Sequence, residues 1–65
     1  MRANDFHPCT FERACWVLWA YQVLNWSQTK IAIELDLNVG TVCHIVHGRR
    51  YPSAHPVPIP GHRAA

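Results

Sequence analysis

Apolar residues crowd the first third of the chain with little interruption, then recur at helical spacing in two shorter runs before prolines break the period. On a helical wheel Phe11, Ala14, Cys15 and Leu18 share one side, and Trp16, Trp19, Ala20 and Val23 share roughly the opposite side. Val17, Tyr21 and Leu24 fill much of the remaining circumference. The spacing predicts a first helix over residues 10–24, with Thr10 as N-cap and Asn25, a residue tolerant of the left-handed conformation, as its stop. Ser27 is the expected cap of a second helix over 28–35, and Trp26 just before it is placed to staple onto Ile31. That helix carries Ile31, Ala32 and Leu35 on one face and ends at Asp36. Asn38 then caps a third helix over 39–47, with Leu37 placed to staple onto Val42. Val42, Ile45 and Val46 point inward, and Gly48 suits the αL position just past the helix end. Pro52, Pro56, Pro58 and Pro60 forbid regular helix beyond Tyr51. The expected organisation is an irregular segment 1–8, an all-α, tri-helical domain 9–51, and an extended Pro-rich tail 52–65, flexible or draped on the surface.

Sixty-five residues make one small domain, and a chain of this size buries only about 60% of the surface its unfolded form exposes. A small core needs help, so disulfides, a metal or a partner chain are each considered. Three cysteines cannot all pair within one chain, and no apolar run follows a basic start at the N-terminus. The expectation is free thiols in a reducing cytoplasm, associated with the nucleoid if the partner is DNA. The apolar run 14–24 is interrupted by Gln22 and is much shorter than the roughly 20 residues of a membrane span.

The net charge of +2 says less than its distribution. Residues 1–36 hold three cations (Arg2, Arg13, Lys30) and four acids (Asp5, Glu12, Glu34, Asp36), whereas 37–65 hold three arginines and no acid. His44, His47, His55 and His62 add titratable groups to the second half. One end of the molecule is thus suited to a polyanion.

Residues 28–48, QTKIAIELDLNVGTVCHIVHG, resemble the helix-turn-helix of bacterial and phage repressors and of homeodomain-like regulators. The resemblance rests on a small Ala32 at the helix crossing and on Ile31, Leu35, Leu37, Val42 and Ile45 as a shared core. It departs from the usual pattern at the turn, where Asp36 stands in place of glycine. It covers about a third of the chain and implies a small tri-helical helix-turn-helix domain that binds double-stranded DNA sequence-specifically, as a transcriptional regulator or a phage or mobile-element control protein, with helix 39–47 in the major groove. With Val42, Ile45 and Val46 inward, Gly40, Cys43, His44 and His47 face outward, with Thr41 at the boundary. Gly40 is expected where backbone and DNA approach closely, Thr41 and His44 at base edges or phosphates, and Asn38 partly occupied by capping. The resemblance assigns Gln28 to a backbone phosphate; Lys30, Arg49 and Arg50 are the cations placed for phosphate.

Other chemistries are weaker matches. Cys43, His44 and His47 form no standard zinc spacing with Cys9 or Cys15, so no metal or cofactor is expected. The histidines lack an acidic orienting partner, so an enzyme is not expected either. RNA binding lacks a sheet platform. The first helix is apolar on two opposite faces, and a three-helix domain covers one of them. Trp16, Trp19, Ala20 and Val23 are therefore the expected interface of a homodimer or of a protein partner. The same face supports a rival reading, a protein-interaction module or inhibitor working through the Trp-rich helix.

Overall fold

The computed structural model describes residues 10–61. The irregular segment 1–8, Cys9 and the last four residues, which include His62 and Arg63, lie outside the described residues. Three helices, α1 (Phe11–Gln22), α2 (Gln28–Leu35) and α3 (Val39–Val46), pack on one another, and there is no strand among the described residues. The fold is all-α.

Each helix begins where a side-chain oxygen satisfies a free amide of the first turn. Thr10 accepts from the Arg13 amide at 3.2 Å, Ser27 from that of Lys30 at 3.1 Å and Asn38 from that of Gly40 at 2.8 Å. Such caps contribute about 1 kcal/mol each, which matters in eight-residue helices too short to persist alone. Each helix is followed by a residue at positive φ: Asn25 at 59°, Asp36 at 57° and Gly48 at 76°. After α2 the Leu37 amide reaches back to the Ala32 carbonyl at 2.9 Å and the Asp36 amide to that of Ile33 at 3.4 Å. After α3 the Arg49 amide reaches His44 at 2.8 Å and the Gly48 amide reaches Ile45 at 3.1 Å. Both are Schellman closures, which need the left-handed residue to turn the chain. The first helix stops two residues earlier than its apolar run predicts. Val23 and Leu24 already belong to the turn, closed by the Trp26 amide on the Ala20 carbonyl at 3.1 Å.

The core joins Ala14, Val17, Leu18 and Ala20 of α1 to Ile31, Ala32 and Leu35 of α2, Leu37 of the connection, and Val42 and Ile45 of α3. Each buried Leu, Ile or Val is worth about 1.5–3 kcal/mol, so this cluster is the main source of stability. Val46, expected inward, is half-buried and packs at its margin. Arg13 ties α1 to the end of α2 by donating from its guanidinium to the Leu35 carbonyl. A cation is favoured there by the negative end of the helix dipole, and its guanidinium also lies 5.4 Å from the centre of the Trp16 ring.

The surface expected for a partner is largely covered by the chain itself. Trp19 is 7% and Ala20 0% exposed, Trp16 is half-buried against the core, and only Val23 stands out, at 47%. The first helix is packed from two sides. The other helices take one side, and residues 51–61 lie along the flank of Phe11 and Cys15. There Phe11 meets the rings of Tyr51 and His55 edge-on at 6.3 and 6.2 Å, and the Val57 amide donates to the Cys15 carbonyl at 3.2 Å. Tyr51, Ala54 and Ile59 add to the core margin. Of the four residues expected at a partner interface, Trp19 and Ala20 are thus buried within the chain, Trp16 is half-buried and Val23 is exposed.

Two substitutions on that expected interface separate the alternatives. Ala20→Leu overfills a closed site and is expected to cost about 1–3 kcal/mol, whereas Val23→Leu is expected to stay within about 0.5 kcal/mol; urea denaturation of the two variants checks the contrast. At the turn, Asp36→Val places a β-branched side chain at positive φ and is expected to lose about 1–2 kcal/mol. Asp36→Gly, free of that clash, is expected to remain near the parent midpoint in the same measurement.

Candidate nucleic-acid interface

The second and third helices are joined by three residues, Asp36, Leu37 and Asn38. Leu37, 3% exposed, anchors that connection in the core, so the start of α3 is held by packing as well as by its cap. With Val42 and Ile45 buried, helical geometry turns positions 40, 44 and 47 away from the core.

His44 and His47 are exposed on that side. Arg49 and Arg50 are exposed immediately after, and their amides both point back to the His44 carbonyl, at 2.8 and 3.3 Å. The closure of α3 thus keeps the two arginines beside the helix end. The Arg50 guanidinium lies 5.6 Å from the centre of the Tyr51 ring, which gives it an apolar backing while leaving the residue exposed. Thr41 and Cys43 are half-buried and so less available than the two histidines.

The remaining expected residues are differently placed. Gln28 is the first residue of α2 and half-buried. Lys30 is exposed, but its ammonium sits 3.4 Å from Glu34 and 4.8 Å from the centre of the Trp26 ring, so its charge is partly balanced within its own helix. Asn38 is committed to capping through Oδ1. Gly40 has a reason internal to the chain: a Cβ there would stand 3.0 Å from Asn38 Oδ1 and crowd the cap. Close approach to DNA is not needed to explain this glycine.

At the α2–α3 junction is an open depression of about 470 Å³ lined by Thr29, Ala32, Ile33, Asp36, Leu37, Asn38 and Val39. Two of its residues are exposed hydrophobics, Ile33 at 72% and Val39 at 49%. Neither figures among the expected site residues. The wheel puts Val39 near the inward positions, and only its place in the first turn marks it as open to solvent. No three His, Cys, Asp or Glu side chains gather as a metal site among the described residues, and no described helix is long and apolar enough to cross a membrane.

The crowding at Gly40 has a measurable sign. Gly40→Ala alone is expected to fall short of the roughly 0.5–1 kcal/mol gain usual for glycine to alanine in a helix. In an Asn38→Ala background, with the oxygen gone, the full gain is expected, and a thermal-denaturation double-mutant cycle reads the difference.

Searches against family models, curated proteins and solved structures return no match to this chain.

Proposed function

We propose that the chain is a sequence-specific DNA-binding regulator of the helix-turn-helix type, placing α3 in the major groove. The observation that carries this reading is the pairing of two properties in one short segment. Ile31, Ala32, Leu35, Leu37, Val42 and Ile45 are all buried, as the motif requires of those positions, while His44, His47, Arg49 and Arg50 are all exposed. A core alone accounts for the first set. Four exposed cationic or protonatable side chains in seven residues, with no acid from residue 37 onward, suit a polyanion.

The residues divide these roles by chemistry. Arg49 and Arg50 neutralise phosphates, because a guanidinium offers forked donors at a fixed charge. His44 is the polar residue in the middle of the exposed side and is assigned to a base edge, with Thr41 and the free amide donor of Asn38 beside it. Gln28 contacts a phosphate at the first turn of α2. Lys30 contributes less than its charge suggests, since Glu34 and Trp26 already engage it. The remaining 52–61 segment serves as a strap that completes the small core.

Salt dependence tests this division. At about −0.9 in log K per log salt for each phosphate neutralised, Arg49 and Arg50 together give an expected slope near −1.8 per chain. Replacing both with alanine is expected to abolish most of that slope and to weaken all sequences alike. Glu34→Gln, by freeing Lys30, is expected to steepen it by up to about 0.9. His44→Ala is expected to leave the slope nearly unchanged and to cost about 1–3 kcal/mol on the preferred site only. Fluorescence anisotropy with selected and scrambled duplexes over a salt series measures all three. Affinity that is absent for every duplex, or equal for selected and scrambled DNA, overturns the reading.

A further inference from the structure

Tyr51 is held in a conformation that its own chemistry disfavours. Its φ is 52°, a left-handed backbone that is unfavourable for a side chain carrying a bulky ring. Pro52 follows it, and a residue before proline is pushed toward extended backbone instead. Packing keeps it there. The ring meets Phe11 edge-on at 6.3 Å and lies at the core margin, and the Tyr51 carbonyl accepts from the Ala54 amide at 2.8 Å. The ring is therefore fixed by the body of the domain and not by local backbone preference.

The same ring backs a charge. The Arg50 guanidinium lies over it, 5.6 Å from its centre, within the range of a cation–π attraction. Arg50 nevertheless remains exposed, and its amide points back to the His44 carbonyl at 3.3 Å. A guanidinium is planar, so a ring against its face leaves the in-plane N–H groups able to donate to a phosphate. An arginine held in this way gives up less side-chain freedom on binding than one that moves freely in water. We infer that Tyr51 is a positioning residue for phosphate binding, its core-anchored ring holding the Arg50 guanidinium beside the end of α3. The inference rests on the DNA-binding reading and deepens it: the two arginines are not equivalent, and an aromatic residue tied to α1 sets the strength of one of them.

A purely structural role for Tyr51 and a role through Arg50 differ in one respect. The first weakens binding whatever stands at position 50, and the second disappears with the guanidinium.

The experiment measures binding of the full chain by fluorescence anisotropy, on a duplex that it has selected from a random pool. Tyr51→Leu keeps apolar bulk but removes the aromatic face, and is expected to weaken binding about two- to fivefold, the worth of an exposed cation–π contact. Tyr51→Phe keeps the ring and is expected to bind as the parent does. The loss from Tyr51→Leu is expected to persist in an Arg49→Ala background and to vanish in an Arg50→Ala background. No loss in the parent, an equal loss in Tyr51→Phe, or an undiminished loss in the Arg50→Ala background each overturns the inference while DNA binding stands. If the pool yields no enriched sequence, the DNA-binding reading itself fails and this inference falls with it. A second measurement needs neither DNA nor a variant, and decides the matter if Tyr51→Leu does not fold. In the NMR spectrum of the wild-type chain, the ring current of Tyr51 is expected to shift the Arg50 side-chain protons upfield of those of Arg49, and coincident shifts overturn the inference.

Discussion

The left-handed residue at Asp36 is the constraint on which the arrangement of α2 and α3 depends. With φ at 57° and ψ at 48°, it lets the Leu37 amide close on Ala32 and drops the Leu37 side chain into the core. Without that reversal the chain has no means of starting a new helix three residues later. A closure bond and a buried leucine, each worth on the order of 1–2 kcal/mol, offset the cost of left-handed backbone at a residue with a Cβ. Asp36 bears that cost better than most residues because aspartate visits the αL region more readily. The same device recurs after α3, where Gly48 carries it without steric cost and directs Arg49 and Arg50 back along the helix end.

A second constraint is size. Among the described residues, twelve buried hydrophobic side chains form a core too small to leave any long apolar helix uncovered. The first helix meets this by packing from two sides, with residues 51–61 acting as a fourth element that has no regular structure of its own. Its hold includes the edge contacts of Tyr51 and His55 with Phe11, the Val57 amide on the Cys15 carbonyl, and the packing of Tyr51, Ala54 and Ile59 at the core margin. Of the two tryptophans of α1, Trp19 is buried and Trp16 is half-buried.

Within the candidate interface, the structure reassigns several residues by showing what else they do. Gly40 protects a cap, Asn38 is that cap, and Lys30 sits between Glu34 and Trp26. What remains outward is a short list of different chemistry, two imidazoles and two guanidiniums. This distribution separates charge, which is long-range and indifferent to sequence, from groups short enough to distinguish one base edge from another.

Local physics was legible in the sequence. The caps Thr10, Ser27 and Asn38, the left-handed positions Asn25, Asp36 and Gly48, and the inward residues Ile31, Ala32, Leu35, Val42 and Ile45 follow from bonding and periodicity within a few residues, so composition and spacing determine them. Tertiary structure decided the rest. Which face of α1 is free depends on where residues 51–61 lie, and no pattern inside α1 encodes that. Tyr51 adopts φ 52°, a conformation no aromatic side chain favours, at a point where its ring meets Phe11 and packs at the core margin. The exposure of Val39 is of the same kind, because periodicity measures only the angle around a helix. The position along the axis, and what the preceding chain covers there, are set by packing between elements.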